Sequence, residues 1–299
     1  MENTTYLNSI CVLILNYQSY QDTIDYVQCL QKQENIQVNI LIVDNCSPNC
    51  SFDILKSTFR DVKNIKVIVS ERNGGYAYGN NFGLHYLEKE DIDYILISNN
   101  DIEIKDPLLL CKMVERYKTL KNPAFVSPIM HINGMQSPHP AWKIPTLKED
   151  VAGSLRILAL NIDTITTYAI QSGKNSMLVD CLPGSFFMGR KDIFYKIGLM
   201  DDKTFLYMEE AILAYKVKIN NLNNYLFIDL KYEHMTSQTI SNELSQIKMR
   251  KHLIDSRIYF HKKYLQTNIF GQLLLKFLFN VWKVETFFYI KLKSIIKNQ

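Results

Sequence analysis

Val38-Asn-Ile-Leu-Ile-Val43, running straight into Asp44-Asn45, is the stretch on which the fold turns. It is too short for a buried helix and rich in β-branched residues, so it reads as a strand covered on both faces. The same design recurs on either side. Ile10-Cys-Val-Leu-Ile-Leu15 runs into Asn16-Tyr17, and Asp93-Tyr-Ile-Leu-Ile-Ser98 into Asn99-Asn100-Asp101. Ile65 to Val69 supplies another strand, and helix-like stretches lie between them at about Tyr20 to Lys32, Phe52 to Phe59 and Asn80 to Glu88. Strands alternating with helices of this length predict βαβ units, hence an α/β fold with a mainly parallel central sheet flanked by helices.

Farther along, the pattern loosens. From about Phe125 to Asp180 it is irregular and proline-bearing, a setting for binding loops or for scaffold loops. Leu182 to Met188 is strand-like again, Asp192 to Ile197 suggests a short helix, Glu209 to Asn220 a longer one, and Tyr225 to Leu230 a late strand. The chain has 299 residues, 47% of them hydrophobic, enough to bury a substantial core and to exclude global disorder. A formal charge of +4 is too mild to announce a nucleic-acid partner, and none is expected. Of the six cysteines, Cys46 and Cys50 flank a turn, but no second pair or nearby histidine completes a zinc spacing. The N-terminal residues lack a basic stretch followed by a long apolar run, so no signal peptide is expected and a reducing, cytoplasmic setting is.

The polar strand ends carry the chemistry. In open α/β sheets, ligands bind in the crevice outside the carboxyl ends of the strands, where residues far apart in sequence converge. Capping a helix or a turn would use the same Asn and Asp. Asn73-Gly-Gly-Tyr-Ala-Tyr-Gly-Asn-Asn-Phe-Gly83 reads as a turn entering a helix, whose N-terminus favours a phosphate. It is neither the dinucleotide fingerprint nor a Gly-Lys-Ser/Thr phosphate loop. Glu209-Glu210 opens a helix, a place where acids also suit the macrodipole.

Taken in order, Val43-Asp-Asn-x-Ser47, Asn73-x-Gly-x-x-x-Gly79-Asn80, Asn99-Asn-Asp101, Phe205-Leu-Tyr-Met-Glu-Glu210 and His234 with Ser237 resemble the family-2 glycosyltransferases of the GT-A fold. Their spacing is similar to the rhamnosyltransferase-like branch of bacterial surface-polysaccharide synthesis. The resemblance implies a sugar transfer from a nucleotide-diphosphate-sugar to an acceptor hydroxyl, with inversion at the anomeric carbon. It implies that Asn16, Tyr17, Asp44 and Asn45 border the base and ribose of the nucleotide, and that Asn73, Gly79 and Asn80 lie along the nucleotide and its pyrophosphate. Asp101 takes the last place of an Asp-x-Asp-like motif that holds Mn2+ or Mg2+, with Asn99 and Asn100 where relatives can carry acids, and His234 stands near that metal. Glu210 would be the general base, beside Glu209. Many relatives have Asp at the second position and a further acid two residues on, where this chain has Ile212. Pro183-Gly-Ser185 would line the acceptor side, and Trp142 would either stack on a sugar or fill a core gap.

The tail differs from everything before it. From Lys262 onward there are seven lysines and one acid, Glu285, interleaved with Phe, Leu, Ile, Trp and Tyr. Gln272, Lys276, Asn280 and Lys283 make a polar stripe at helical spacing, and Ile269, Leu273, Leu274, Phe277, Phe279, Val281 and Trp282 fill the remainder. The expectation is a GT-A domain over residues 1–262, with a donor half to about 125 and an acceptor half from 126 to 262. Residues 263–299 are expected to form a basic amphipathic helix on an anionic membrane surface, placing the enzyme at the inner face of the cell membrane beside a lipid-linked oligosaccharide acceptor. Packing of the tail on its own domain is the alternative. For the whole chain, the alternatives are a saccharide- or nucleotide-binding module without chemistry and a metal-dependent nucleotidyltransferase.

Overall fold

The computed structural model describes residues 8–154, 166–170, 173–235, 243–281 and 284. The first half is a regular alternation: β1 (Ser9–Asn16), α1 (Tyr20–Leu30), β2 (Gln37–Asp44), α2 (Ser51–Thr58), β3 (Ile65–Val69), α3 (Tyr76–Leu87) and β4 (Tyr94–Asn99). The short β5 (Ile102–Glu103), α4 (Leu109–Tyr117), β6 (Pro123–Ile132), β7 (Met135–Gln136) and α5 (Leu147–Ser154) follow. Then come β8 (Ser176–Val179), β9 (Phe186–Arg190), α6 (Lys191–Lys196), α7 (Glu209–Ile219), β10 (Asn223–His234) and α8 (Glu243–Lys263).

One sheet runs through the molecule in the order β3-β2-β1-β4-β9-β6-β10-β5, with β7 on β6 and β8 on β10. The four strands β3, β2, β1 and β4 are mutually parallel, as are β6 and β10, whereas β9 is antiparallel to both β4 and β6. The parallel half carries the apolar runs: Ile10 to Ile14 and Ile40 to Val43 are all buried. Side chains from the two faces feed two cores, one under α1, α2 and α4, the other under α3, α6 and α7.

Two departures from the sequence reading have physical causes. Residues 125–180 were expected to be irregular, yet β6 is a ten-residue central strand. Pro128 within it argues against such a strand, because it cannot donate to the ladder. The strand is tolerated because β10 breaks register between Phe227 and Lys231, where Pro128 and Ile129 pair with it. The helix expected from Asn80 begins at Tyr76, because Gly75 turns the chain at φ 92° immediately before it. No L side chain fits there: a Cβ on Gly75 would lie 2.0 Å from the carbonyl oxygen of Phe205.

After α8, residues 269–281 form a further helix. Leu275 and Phe279 pack with Ile254 of α8, against Leu147 and Val151 of α5. Part of this tail therefore packs on its own domain. Trp282, Lys283 and Glu285, the tail beyond 284, and Ser237 lie outside the described residues.

Candidate functional site

The carboxyl ends of β1, β2 and β4 do converge, and their polar residues bond mainly to one another. Asp44 accepts Nδ2 of Asn16 at 2.7 Å and the Ser47 hydroxyl at 2.8 Å on one oxygen, and the Ser47 N–H at 2.8 Å on the other. Asn16 and Asp44 are both fully buried. Asn100 donates from Nδ2 to the Ser19 and Thr23 hydroxyls, at 2.7 and 2.9 Å, tying the end of β4 to the start of α1. Tyr17 stands exposed beside this cluster. Asn45 bridges β2 to the glycine turn, donating to Asn73 Oδ1 at 3.1 Å and to the Gly75 carbonyl at 3.2 Å. Gly79 lets α3 approach closely, since a Cβ there would lie 2.4 Å from Leu15. Asn80 bonds back to Tyr76 through Nδ2 and leaves its buried Oδ1 without a partner.

Asp101 follows β4 and His234 ends β10. The two segments are locked together, because the Met235 N–H donates to the Asp101 carbonyl at 2.8 Å and His234 pairs with Ile102. Asp101 Oδ1 lies 3.2 Å from His234 Nε2. Both atoms are buried, and neither makes a well-aligned hydrogen bond. One oxygen and one imidazole nitrogen, orphaned and converging, fit a divalent cation whose other positions come from donor phosphates and water. Among the described residues no group of three or more His, Cys, Asp or Glu gathers around one point, so this pair would be their whole contribution.

Glu209 and Glu210 begin α7, and the turn before them is unusual. Tyr207 and Met208 both have left-handed backbone, at φ 73° and 69°, which is rare for non-glycine residues. The turn is held from α8: Ser256 donates to the Leu206 carbonyl at 2.8 Å, and Phe205 stacks on His252. Asp201, on the same loop, accepts from Tyr259, Lys263 and Tyr264 of α8 and the turn that follows it. Burial works against the Asp201 charge, but these donors and the Lys203 N–H outweigh it and hold the carboxyl at about 2.

Of the acid pair, Glu209 is buried and Glu210 half-buried. Burial first, then the neighbouring Glu210, push Glu209 up to about 8. Burial also raises Glu210, partly offset by N–H donors of its own backbone and of Gly184. Glu209 Oε1 has no partner. Both acids open onto a cavity of about 590 Å³ that is also lined by Asn99, His234, Ser185 and Trp142. The cavity thus joins the candidate metal pair, through His234, to the candidate bases. Tyr76, which the sequence gave no reason to single out, lines the same cavity and donates its hydroxyl to the Gly184 carbonyl. Trp142 is fixed through its main chain to Cys181 and Thr167, rests on the apolar cluster that includes Ile212, and borders the same cavity. Ile212 is itself buried in that cluster.

Known proteins resemble this chain in sequence and in fold. The hexosyltransferase Agl10 of low-salt glycan biosynthesis in Haloferax volcanii is 26% identical over 227 residues, 73% of this chain and 64% of its own. The match therefore leaves more than a third of that relative uncovered. The rhamnosyltransferase WbbL of Escherichia coli is 25% identical over 203 residues, 65% of this chain and 73% of its own. Among solved structures, GalNAc-T7 with UDP, GalNAc and Mn2+ superposes with a TM-score of 0.64 at 12% identity, over 86% of this chain and 48% of that one. That likeness establishes the GT-A fold. The family model for glycosyl transferase family 2 matches residues 9–198, more than half of the chain, and the chain belongs to that family.

Proposed function

We propose that the chain is an inverting glycosyltransferase, moving a sugar from a nucleotide-diphosphate-sugar to a hydroxyl of a lipid-linked oligosaccharide in capsule or cell-surface polysaccharide synthesis. The observation that carries this is the single cavity with Glu209 and Glu210 on one wall and His234, paired with Asp101, on another. Two relatives, named as a hexosyltransferase and a rhamnosyltransferase, support the same class of reaction.

In this reading Asp101 and His234 would hold Mn2+ or Mg2+, which would supply positive charge to offset that of the departing nucleoside diphosphate. Asn16 and Asp44, bonded to each other, shape the floor under the nucleotide, with Tyr17 and Asn45 at its edge. Asn73, Gly79 and Asn80 run along the ribose and pyrophosphate, and Asn99 faces the sugar. Glu210 takes the proton of the attacking hydroxyl. Burial beside Glu210 favours the protonated form of Glu209, so the pair carries one negative charge more readily than two. The acceptor enters past Trp142 and Ser185, at the inner face of the cell membrane.

The test is hydrolysis and transfer across a panel of nucleotide sugars, with and without Mn2+ or Mg2+, on wild type, Asp101→Ala and Glu210→Gln. One donor cleaved only with metal, and lost in Asp101→Ala, is the expected result. No binding of any nucleoside diphosphate would remove the proposal.

A further inference from the structure

We propose that the outward face of helix 269–281, together with Val284 beyond it, is a docking surface for an anionic lipid bilayer. Three sectors run along this helix. Gly271, Leu275, Leu278 and Phe279 are buried, and Leu275 and Phe279 pack inward as expected for a helix laid on its own domain. Gln272, Lys276 and Asn280 follow one another at i, i+4, i+8 and form a polar band. Phe270, Leu273, Phe277, Val281 and Val284 recur at helical spacing on the remaining side and point away from the protein, with Phe270 75% and Phe277 65% exposed. A helix whose core-facing side is already filled has no folding reason for a second apolar stripe. Contiguous exposed apolar surface of this kind marks an interaction site.

Charge identifies the occupant. Residues 269–284 contain no acid, and from Lys262 to the end the chain carries seven lysines against one acid. A second copy of this chain meeting the same face would bring the two lysine-bearing bands together. Anionic headgroups beside an acyl region supply both the complement to the lysines and the medium for the phenylalanines. No helix among the described residues is long and apolar enough to cross a membrane. Because one sector stays packed against α5 and α8, the helix lies in the plane of the interface. Docking there also holds the cleft beside the bilayer, since α8 is the same helix that braces the turn before Glu209 through Ser256 and His252. This surface suits the lipid-linked acceptor proposed above but stands without it, so vesicle binding and sugar transfer can fail separately.

The experiment is cosedimentation of the full chain with phosphatidylcholine vesicles, with and without phosphatidylglycerol. Wild type is expected to partition onto the phosphatidylglycerol vesicles. The triple variant Phe270→Ser, Leu273→Ser, Phe277→Ser should lose at least ~10-fold in partitioning, with an unchanged circular-dichroism melting curve. Lys276→Glu should weaken binding only where phosphatidylglycerol is present. Wild type that stays in the supernatant, or a triple variant that binds as wild type does, overturns the proposal. A wild type that is dimeric by light scattering, with a monomeric triple variant and no vesicle binding by either, assigns the face to a second copy instead.

Discussion

A methyl group placed on Gly184 would stand 2.9 Å from Oε1 of Glu210. Gly184 is held on both sides, because its N–H supports the Glu210 carboxyl while its carbonyl accepts the Tyr76 hydroxyl. Gly184→Ala therefore has one cheap way out, a swing of the Glu210 carboxyl. Sugar transfer should fall by roughly 10²-fold, since misplacing a reacting group by about 1 Å costs that much. Nucleoside diphosphate affinity by calorimetry and the melting temperature should change little. A parallel loss of affinity would place Gly184 on the donor side instead.

Glu209 should make stability depend on pH. Its carboxyl is raised from 4.5 to about 8 in the folded chain, so the folded state holds a proton that the unfolded state has released. Its contribution is fully present below the unfolded value and is lost as pH rises toward about 8. Glu209→Gln removes this titration. The variant should melt at nearly the wild-type temperature at acid pH and progressively above it up to about pH 8, the gap then levelling off. Thermal unfolding over that range checks the sign, and a gap that narrows with pH would refute it.

These two residues show what was and was not readable in the chain. The parallel half of the sheet was legible because β1, β2 and β4 are mainly apolar runs ending in Asn or Asp. Strand β6 was not, because Pro128 breaks the signal and the compensating register break lies a hundred residues away in β10. Asp101, His234, Glu209 and Glu210 were reached through the order of short motifs, and the fold brings the acids and His234 around one cavity. Tyr76 was missed: a tyrosine within a glycine-rich turn carries no mark of the partner it will have at Gly184. Asp201 was missed for the same reason, since its donors on and just after α8 lie about sixty residues away.

Trp142 tests the acceptor side of the proposed reaction. Its main chain is fixed by Cys181 and Thr167, and its side chain borders the cavity while resting on the cluster that contains Ile212. If an acceptor sugar lies against it, Trp142→Ala should raise the acceptor KM roughly 10-fold and leave donor hydrolysis by water unchanged. Trp142→Phe should recover part of the loss. Equal losses in hydrolysis and transfer would mean that the residue only supports the fold of α7.

The tail's attachment rests on a buried charge. Asp150 of α5 accepts His261 Nε2 at 2.7 Å and lies 3.3 Å from Arg257 Nη1, while His261 Nδ1 is 3.1 Å from the Thr267 hydroxyl. Asp150 and His261 are buried, so removing one partner leaves the others charged or polar without compensation. Breaking such a group costs about 3–5 kcal/mol. Asp150→Asn should thus lower the melting temperature by several degrees. The effect should also be local first: Leu275 and Phe279 hold helix 269–281 to α5 and α8 through the same region, so amide exchange in 269–281 should accelerate before the sheet is affected. Hydrogen exchange resolved by segment distinguishes this from uniform destabilisation, in which β1 and β2 would lose protection by the same factor as the terminal helix.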